Sequence, residues 1–226
     1  MEVKISVIMS VYNASETIED AIKSILSQTY TNFEFLILDD ASEDDSYKKI
    51  TKYKGIDSRI KIFENKKNEG LTTSLNKLIN EASGTHIARQ DADDISKDIR
   101  LEEQVKFLSK YHVVTARAKI KQNIRRTIPG LSYYLPTSLT IRLKNPYIHG
   151  TLLIDKKLLD KLGGYNEDYK YAQDYRLFLD IHNMKIKVKN LRKPLYILNT
   201  KDNISSNKKV EQDYFFKLAR KSQKQI

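Results

Sequence analysis

"VKISVIMSVYNASE", residues 3–16, decides how the rest of the chain is read. Its first nine residues are rich in Val and Ile and fit a mostly buried strand. "YNAS" then breaks the run. Asn13 is placed to cap a helix, with Glu16 three positions on as its reciprocal partner. Ile18, Ala21, Ile22, Ile25 and Leu26 follow at helical spacing. The same rhythm then repeats. "FEFLIL" (33–38) is a second apolar strand, closed by "DDAS". Ser42 is the expected cap of the next helix, with Glu43, Asp44 and Asp45 in its first turn, where the helix dipole favours acids. "IKIF" (60–63) is a third strand. Gly70 in "NEGL" opens a helix with Leu71, Leu75, Leu78 and Ile79 on one side, and Asn76 is expected to pack or bond locally. "THIARQ" is a fourth strand, halted by Asp91, Asp93 and Asp94.

Short hydrophobic strands alternating with helices predict an α/β fold. The sheet should be Rossmann-like and mostly parallel, with helices on both faces. Ligands of such sheets bind beyond the carboxyl ends of the strands. Tyr12, Asp39, Asp40 and the Asp91–Asp94 cluster each follow a strand directly, so they are expected to converge on one edge.

After residue 113 the rhythm weakens. Residues 113–135 are basic, contain a Pro-Gly turn, and read as a mobile or edge region. "TLLI" (151–154), "KIKV" and "LYIL" look like short strands, and 172–184 like a helix with Leu177, Phe178 and Ile181 on one side. The expected organisation is one domain over 1–200, with a nucleotide-binding half to about 110 and an acceptor-side half beyond it. Residues 201–226 form a basic tail, expected to be helical, that carries Tyr214, Phe215, Phe216 and Leu218.

Composition narrows the classes. With 226 residues the chain can bury a sizeable core. No apolar run approaches the ~20 residues that cross a bilayer. The amino-terminal run carries Lys4, lacks a cleavage pattern and alternates like a strand, so it does not read as a signal peptide. Absence of cysteine excludes a disulfide framework, a thiolate nucleophile and a Cys-ligated metal. A cytoplasmic place is expected, with peripheral contact at the inner face of a membrane, through the basic tail, left open. The net charge of +11 permits nucleic acid, an anionic membrane or phosphate-bearing substrates as partners. Nucleic acid is not expected, because no recognised motif or interleaved basic and aromatic face accompanies the charge.

Dinucleotide chemistry and P-loop phosphate transfer lack their glycine-rich cradles. The residues at the predicted edge suit a nucleotide held otherwise. Tyr12 can stack on a base, Asp40 can accept from the ring N–H of a uracil, and Asp91 can bond a ribose hydroxyl. Asp93 can bind a divalent cation that bridges to a diphosphate. Two phosphates do not approach bare carboxylates without such an ion, and hard oxygens suit Mn²⁺ or Mg²⁺. Each residue also has a plain structural reading: Tyr12 as core, Asp40 as a cap, the Asp91–Asp94 run as a solvated loop.

"LILDDASEDDS", "NEGLTTSLN", "IARQDADDIS", "NPYIHGTLLI" and "GGYNEDYKYAQDYRLFL", after the opening strand, resemble in order and spacing the motifs of family 2 glycosyltransferases with the GT-A fold. The likeness runs from residue 3 to about 199. It implies inverting transfer of a sugar, of hexosyl or N-acetylhexosaminyl class, from a nucleotide diphosphate, often UDP, with Mn²⁺ or Mg²⁺. The acceptor would be a glycan, a glycolipid or a glycoprotein, as in cell-surface polysaccharide synthesis. By position, Tyr12 and Asp40 match the base-recognition sites and Asp91 and Asp93 the Asp-x-Asp motif, whose second acid meets the metal. Asp174 matches the general base, with Gln173 where Glu is commoner. Asp94 takes a supporting part. His149 has three readings: a metal ligand beside Asp93, a lining of the diphosphate site, or a structural histidine. The alternative to an enzyme is a non-catalytic relic of the fold that binds sugar nucleotides or serves a partner subunit.

Overall fold

The computed structural model describes residues 3–201 and 208–222, which form a nine-stranded sheet. Strands β1 (Ile5–Val11), β2 (Phe33–Asp39), β3 (Ile60–Glu64) and β4 (His86–Arg89) run parallel in the order β3-β2-β1-β4. Ile5 lies opposite both Phe33 and His86, so β1 starts level with its neighbours.

Side chains alternate across the strands, and each face meets its own helices. Ile5, Val7, Met9 and Val11 pack with Ile18, Ile22 and Ile25 of α1 (Ile18–Leu26) and Ile50 of α2 (Ser46–Lys54). Ile8, Leu36 and Leu38 pack on the other face with Leu75, Leu78 and Ile79 of α3 (Leu71–Glu81). Each such side chain contributes roughly 1.5–3 kcal/mol on full burial. With both faces covered, only the strand ends are left to hold polar chemistry.

Beyond β4 the sheet becomes mixed. β5 (Ile95–Ser96) follows the acidic cluster, α4 (Arg100–Val105) follows it, and β6 (Val113–Ile120) turns into β7 (Asn123–Ile128). Next come α5 (Thr137–Thr140), β8 (Leu153–Asp155), α6 (Lys156–Lys161), α7 (Gln173–Asn183) and β9 (Val188–Leu198). The order continues β4-β8-β6-β9-β5. β8 is antiparallel to β4 and β6, whereas β6 and β9 are parallel, so the long registers in the sheet are the parallel ones.

Several local expectations give way. Residues 113–120 are not an edge: Val113, Val114, Ala116 and Ala118 of β6 are fully buried, and only β7 is peripheral. "LYIL" lies inside the long β9, and only the last residue of "KIKV", Val188, belongs to a strand. Asn13 does not cap α1; its Oδ1 accepts the Glu43 N–H at 2.8 Å, tying the loop after β1 to the loop after β2. Ser42 does not cap α2 either, because Asp39 takes its N–H at 2.9 Å and its hydroxyl at 2.7 Å. The helix begins at Ser46, beyond the acidic run. The tail is helical over α8 (Lys209–Ser222), while 202–207 and 223–226 lie outside the described residues. Its Phe216 turns inward and stacks on Tyr175 with ring centres 4.1 Å apart, and Phe215 packs on Tyr169 and Tyr171. Val210, Tyr214 and Leu218 remain outward.

Candidate active site

The carboxyl ends of β1, β2 and β4 bring together the residues expected there. Tyr12 stands 45% exposed directly after β1, free to offer its ring and not part of the core. Two loops beside it are bound to each other. Ala14 N–H donates to Ser46 Oγ at 2.8 Å and Ser15 N–H to Asp44 Oδ2 at 2.9 Å. Desolvation pushes the Asp44 carboxyl up, but the bonds from Ser46 and Ser15 outweigh it and hold the group at about 2.

Asp40 is 2% exposed. Its Oδ1 accepts from Asn65 Nδ2 at 2.7 Å and Glu69 N–H at 2.9 Å, and its Oδ2 from Gly70 N–H at 2.8 Å. A carboxylate can accept about four bonds, so one place on Oδ2 remains. Asp40 therefore already fixes the start of α3, and Gly70, at φ +89°, both opens that helix and supplies one of the bonds.

The acidic cluster is held by β9, far along the chain. β5 pairs with Tyr196 and Ile197, which sets Asn199 against the acids. Asn199 N–H donates to Asp94 Oδ1 at 2.6 Å, and its Nδ2 to Asp93 Oδ2 at 3.2 Å. Asp91 Oδ1 accepts from the buried Arg89 at 2.6 Å, and Asp91 N–H donates to the Tyr196 hydroxyl at 3.1 Å. Burial, then the charge of Asp91, pushes the Asp93 carboxyl up. The same two causes, with Asp93 added, push Asp94 well above its ordinary value. Tyr196, wholly buried, is pushed well up by burial and by Asp94 and Asp91. Behind them Arg100 donates to Arg89 O at 2.8 Å and Gly150 O at 2.6 Å, while its Nε and Nη2 find no partner. Burial lowers it to about 10.

Asp174 sits in the first turn of α7, after Ala172 in the left-handed region (φ +57°). Its Oδ2 accepts from Asn145 Nδ2 at 2.8 Å. His149 is felt by this acid and by the cluster: its Nε2 is 2.7 Å from the Tyr165 hydroxyl, and both Asp174 and Asp91 act on it electrostatically. Burial, then the charge of Arg89, lowers the imidazole below its ordinary value, against the pull of Asp174 and Asp91. The Tyr165 backbone is gripped by Asn76, which takes its N–H and donates to its carbonyl, both at 2.8 Å. Asn76 thus bonds across the fold and not locally. Gly150, next to His149, admits no side chain: a Cβ there would meet the Tyr196 hydroxyl and come within 2.8 Å of Asp91 Oδ2.

Sequence reasoning missed Arg89, Asn145, Gly150, Tyr165, Tyr196 and Asn199. Their only signal is polar residues near strand ends, which is too common to single them out.

The donor chemistry suits a hard divalent cation in part. Asp91 and Asp93 offer oxygens, and their mutual repulsion in a desolvated place is a deficit of positive charge that such an ion would relieve. Among the described residues no three His, Asp or Glu side chains gather into a complete metal site, so the remaining ligands would come from phosphate oxygens and water.

A four-strand parallel half with acids at its carboxyl edge, joined to a mixed half that carries a further acid, defines a GT-A glycosyltransferase. The comparisons agree. A solved structure of S. aureus TarS 1–349 with UDP-GlcNAc shares the fold with a TM-score of 0.74 at 22% identity, over 88% of this chain and 59% of that one. This chain thus spans less than two thirds of that solved protein. The family model "Glycosyl transferase family 2" matches residues 6–165, and the chain belongs to that family. It is 35% identical to a putative glycosyltransferase of Bacillus subtilis, EpsE, over 85% of this chain and 72% of the relative. It is 33% identical to the Escherichia coli UDP-Glc:alpha-D-GlcNAc-diphosphoundecaprenol beta-1,3-glucosyltransferase WfgD, over 78% of this chain and 69% of that one. Among the described residues no helix is long and apolar enough to cross a membrane.

Proposed function

We propose that this glycosyltransferase moves a hexosyl or N-acetylhexosaminyl group, with inversion, from a UDP-sugar to a hydroxyl of a lipid-linked glycan. The observation that supports the reading is that Asp91 and Asp174, remote in sequence, both act electrostatically on His149, whose Nε2 lies 2.7 Å from the Tyr165 hydroxyl. The E. coli relative named for UDP-Glc and a diphosphoundecaprenol acceptor supports the choice of donor and acceptor.

Tyr12 stacks on the uracil, and the free place on Asp40 Oδ2 accepts its ring N–H. Asp91 bonds the ribose, and Asp93 would hold Mn²⁺ or Mg²⁺. Such an ion would supply positive charge to the leaving diphosphate. His149, with Nε2 engaged by Tyr165, is assigned to the diphosphate lining in preference to the metal. Asn145 holds one oxygen of Asp174 and leaves the other to take the acceptor proton as the bond to the anomeric carbon forms. A positioned base of this kind contributes about 10²–10⁴-fold.

The test is Asp174→Asn, which changes charge and barely changes size. UDP affinity with Mn²⁺, measured by calorimetry, should stay at the wild-type value. Transfer to a lipid-linked acceptor should fall at least ~10²-fold, equivalent to ~2.7 kcal/mol of barrier. Transfer at the wild-type rate would overturn the base assignment.

A further inference from the structure

From Gln104 to Ile154 the chain holds nine Lys or Arg and no Asp or Glu. This acid-free span includes β6, β7 and α5 and ends beside the active site. Its middle is apolar and outward. Leu131 is 88% exposed, and Tyr134, Leu135, Leu139 and Leu143 are each more than half exposed. Single exposed leucines are ordinary on a soluble protein, whereas a run of them within 131–143 marks a contact surface.

The backbone here is anchored, so the exposure is built in. Thr140 and Ile141 are buried, the Tyr175 hydroxyl donates to Ile141 O at 2.6 Å, and the Tyr133 hydroxyl donates to Asn190 O at 3.1 Å. With 140 and 141 turned in, Leu139 and Leu143, four apart, point away together. Cations frame the apolar run: Arg125 and Arg126 are exposed on β7 beside Ile124, and Arg142 and Lys144 flank Leu143. A groove of about 920 Å³ starts at Thr137 and Arg142, is also lined by Lys185, Lys187 and Arg220, and has no acid in its wall.

We propose that residues 124–144 are the face by which the protein lies on an anionic lipid surface. The leucines and Tyr134 enter the headgroup boundary while Arg125, Arg126, Arg142 and Lys144 meet lipid phosphates. Charge decides against a second copy as occupant, because two such faces carry only cations and repel. α8 is the poorer candidate: its Phe215 and Phe216 are spent on the core, and Glu211 and Asp213 interrupt its basic side. The segment leads into Asn145, whose amide holds Asp174. The inference rests on the proposed function only for its consequence, that a lipid-borne acceptor hydroxyl reaches the cleft from the bilayer side.

Flotation with vesicles of phosphatidylcholine alone, and of equal parts phosphatidylcholine and phosphatidylglycerol, tests it. The wild type should float with the anionic vesicles, stay behind with the neutral ones, and release as salt rises. Leu135→Glu with Leu139→Glu should lower partitioning at least ~10-fold. Arg125→Glu with Arg126→Glu, on the exposed hairpin, should do the same, since each surface charge is worth roughly fivefold. Melting temperature and UDP affinity should not move in either variant. No binding by the wild type, or undiminished binding by both variants, overturns the proposal. So does a dimer in sedimentation equilibrium that the leucine variant dissolves while vesicles bind neither form. Failure of the wild type to bind UDP would remove the proposed function and leave the vesicle result standing.

Discussion

Carboxylates stand at both ends of the parallel strands, and they are treated oppositely. At the amino-terminal end Glu34 is buried in β2. Its Oε1 accepts from Ser6 Oγ at 2.6 Å and from the N–H and Oγ of Ser83, both at 2.7 Å, and its Oε2 pairs with Lys61 at 2.8 Å. Burial pushes it up, yet Lys61, Ser6 and Ser83 together bring it from 4.5 to about 2. At the carboxyl end Asp93 and Asp94 are pushed up by burial and by the charge of Asp91, and Arg100 keeps two unpartnered nitrogens. One end is a closed network, and the other is an open one that a charged ligand can complete. The first is suited to stability, and the second is where the proposed function would lie.

The largest effect that would break this contrast lies at Glu34. Glu34→Ala leaves three donors without their acceptor, at about 1–3 kcal/mol for each that water does not reach, and should cost about 3–5 kcal/mol. For a domain of this size that lowers the melting temperature by roughly 6–20 °C, with UDP affinity unchanged. The same group sets an acid limit. Its folded pKa is depressed, so its contribution is whole above about 4.5 and is lost as pH falls towards about 2. That loss is on the order of 3 kcal/mol. Urea unfolding at a series of pH values, compared with Glu34→Ala, should show the two proteins converging at low pH. Curves that stay the same distance apart at every pH would mean that the network does not depend on the charge of Glu34.

At the other end Gly150→Ala sharpens the comparison from the packing side. The added methyl must displace the Tyr196 hydroxyl or the Asp91 carboxylate. Overpacking of this kind costs about 1–3 kcal/mol, and the disturbed Asp91 should lower UDP affinity as well. Calorimetry that finds UDP affinity intact would separate Gly150 from the site.

Asp94→Asn tests the sign. Removing a charge from a crowded, desolvated place should leave the protein as stable or up to ~1 kcal/mol more stable, because an amide oxygen can still take the Asn199 N–H. Turnover should fall if Asp94 supports the site. A loss of several kcal/mol in denaturant unfolding would show the carboxyl end to be as closed as the other.

The fold's first half was legible because β1 to β4 are short, mostly apolar runs with helix signals between them. β6 was not: Arg117 and Lys119 interrupt it, and both are half-buried, with Arg117 Nε donating to Pro129 O at 3.0 Å. β9 was hidden by Arg192, Lys193 and Pro194, which sit at a break in register with β6, where the missing proline N–H is tolerated. In the site, Asp40, Asp91, Asp93 and Asp174 were visible as acids after strands or at a helix start. Tyr196 and Asn199 were not, because only the pairing of β5 with β9 brings them to the cluster. Asn13 and Ser42 were misread as caps for a related reason. Each has a local partner in sequence, but the loops around β1 and β2 offered a nearer one.

The smallest effect is expected at Ala172. It enters α7 at φ +57°, ψ +24°, two residues before Asp174, and its carbonyl accepts the Arg176 N–H at 3.0 Å. For alanine the left-handed region costs roughly 1–2 kcal/mol. Glycine removes that strain but gives back about 0.4–1 kcal/mol through the freer unfolded chain. Ala172→Gly should therefore raise stability by less than ~1 kcal/mol, a shift of at most a few degrees in melting temperature. If the strained turn exists only to close the chain, transfer is unchanged. If it aims Asp174, the looser glycine should lower the transfer rate a few-fold while UDP affinity holds, because the donor side does not depend on this turn. A protein that is slightly more stable and slightly slower would place Ala172 with the open end of the sheet, where strain is kept for orientation. A variant less stable than the wild type would mean that the methyl packs usefully beside Tyr175 and Phe216, with which it shares the wall of a cavity of about 170 Å³.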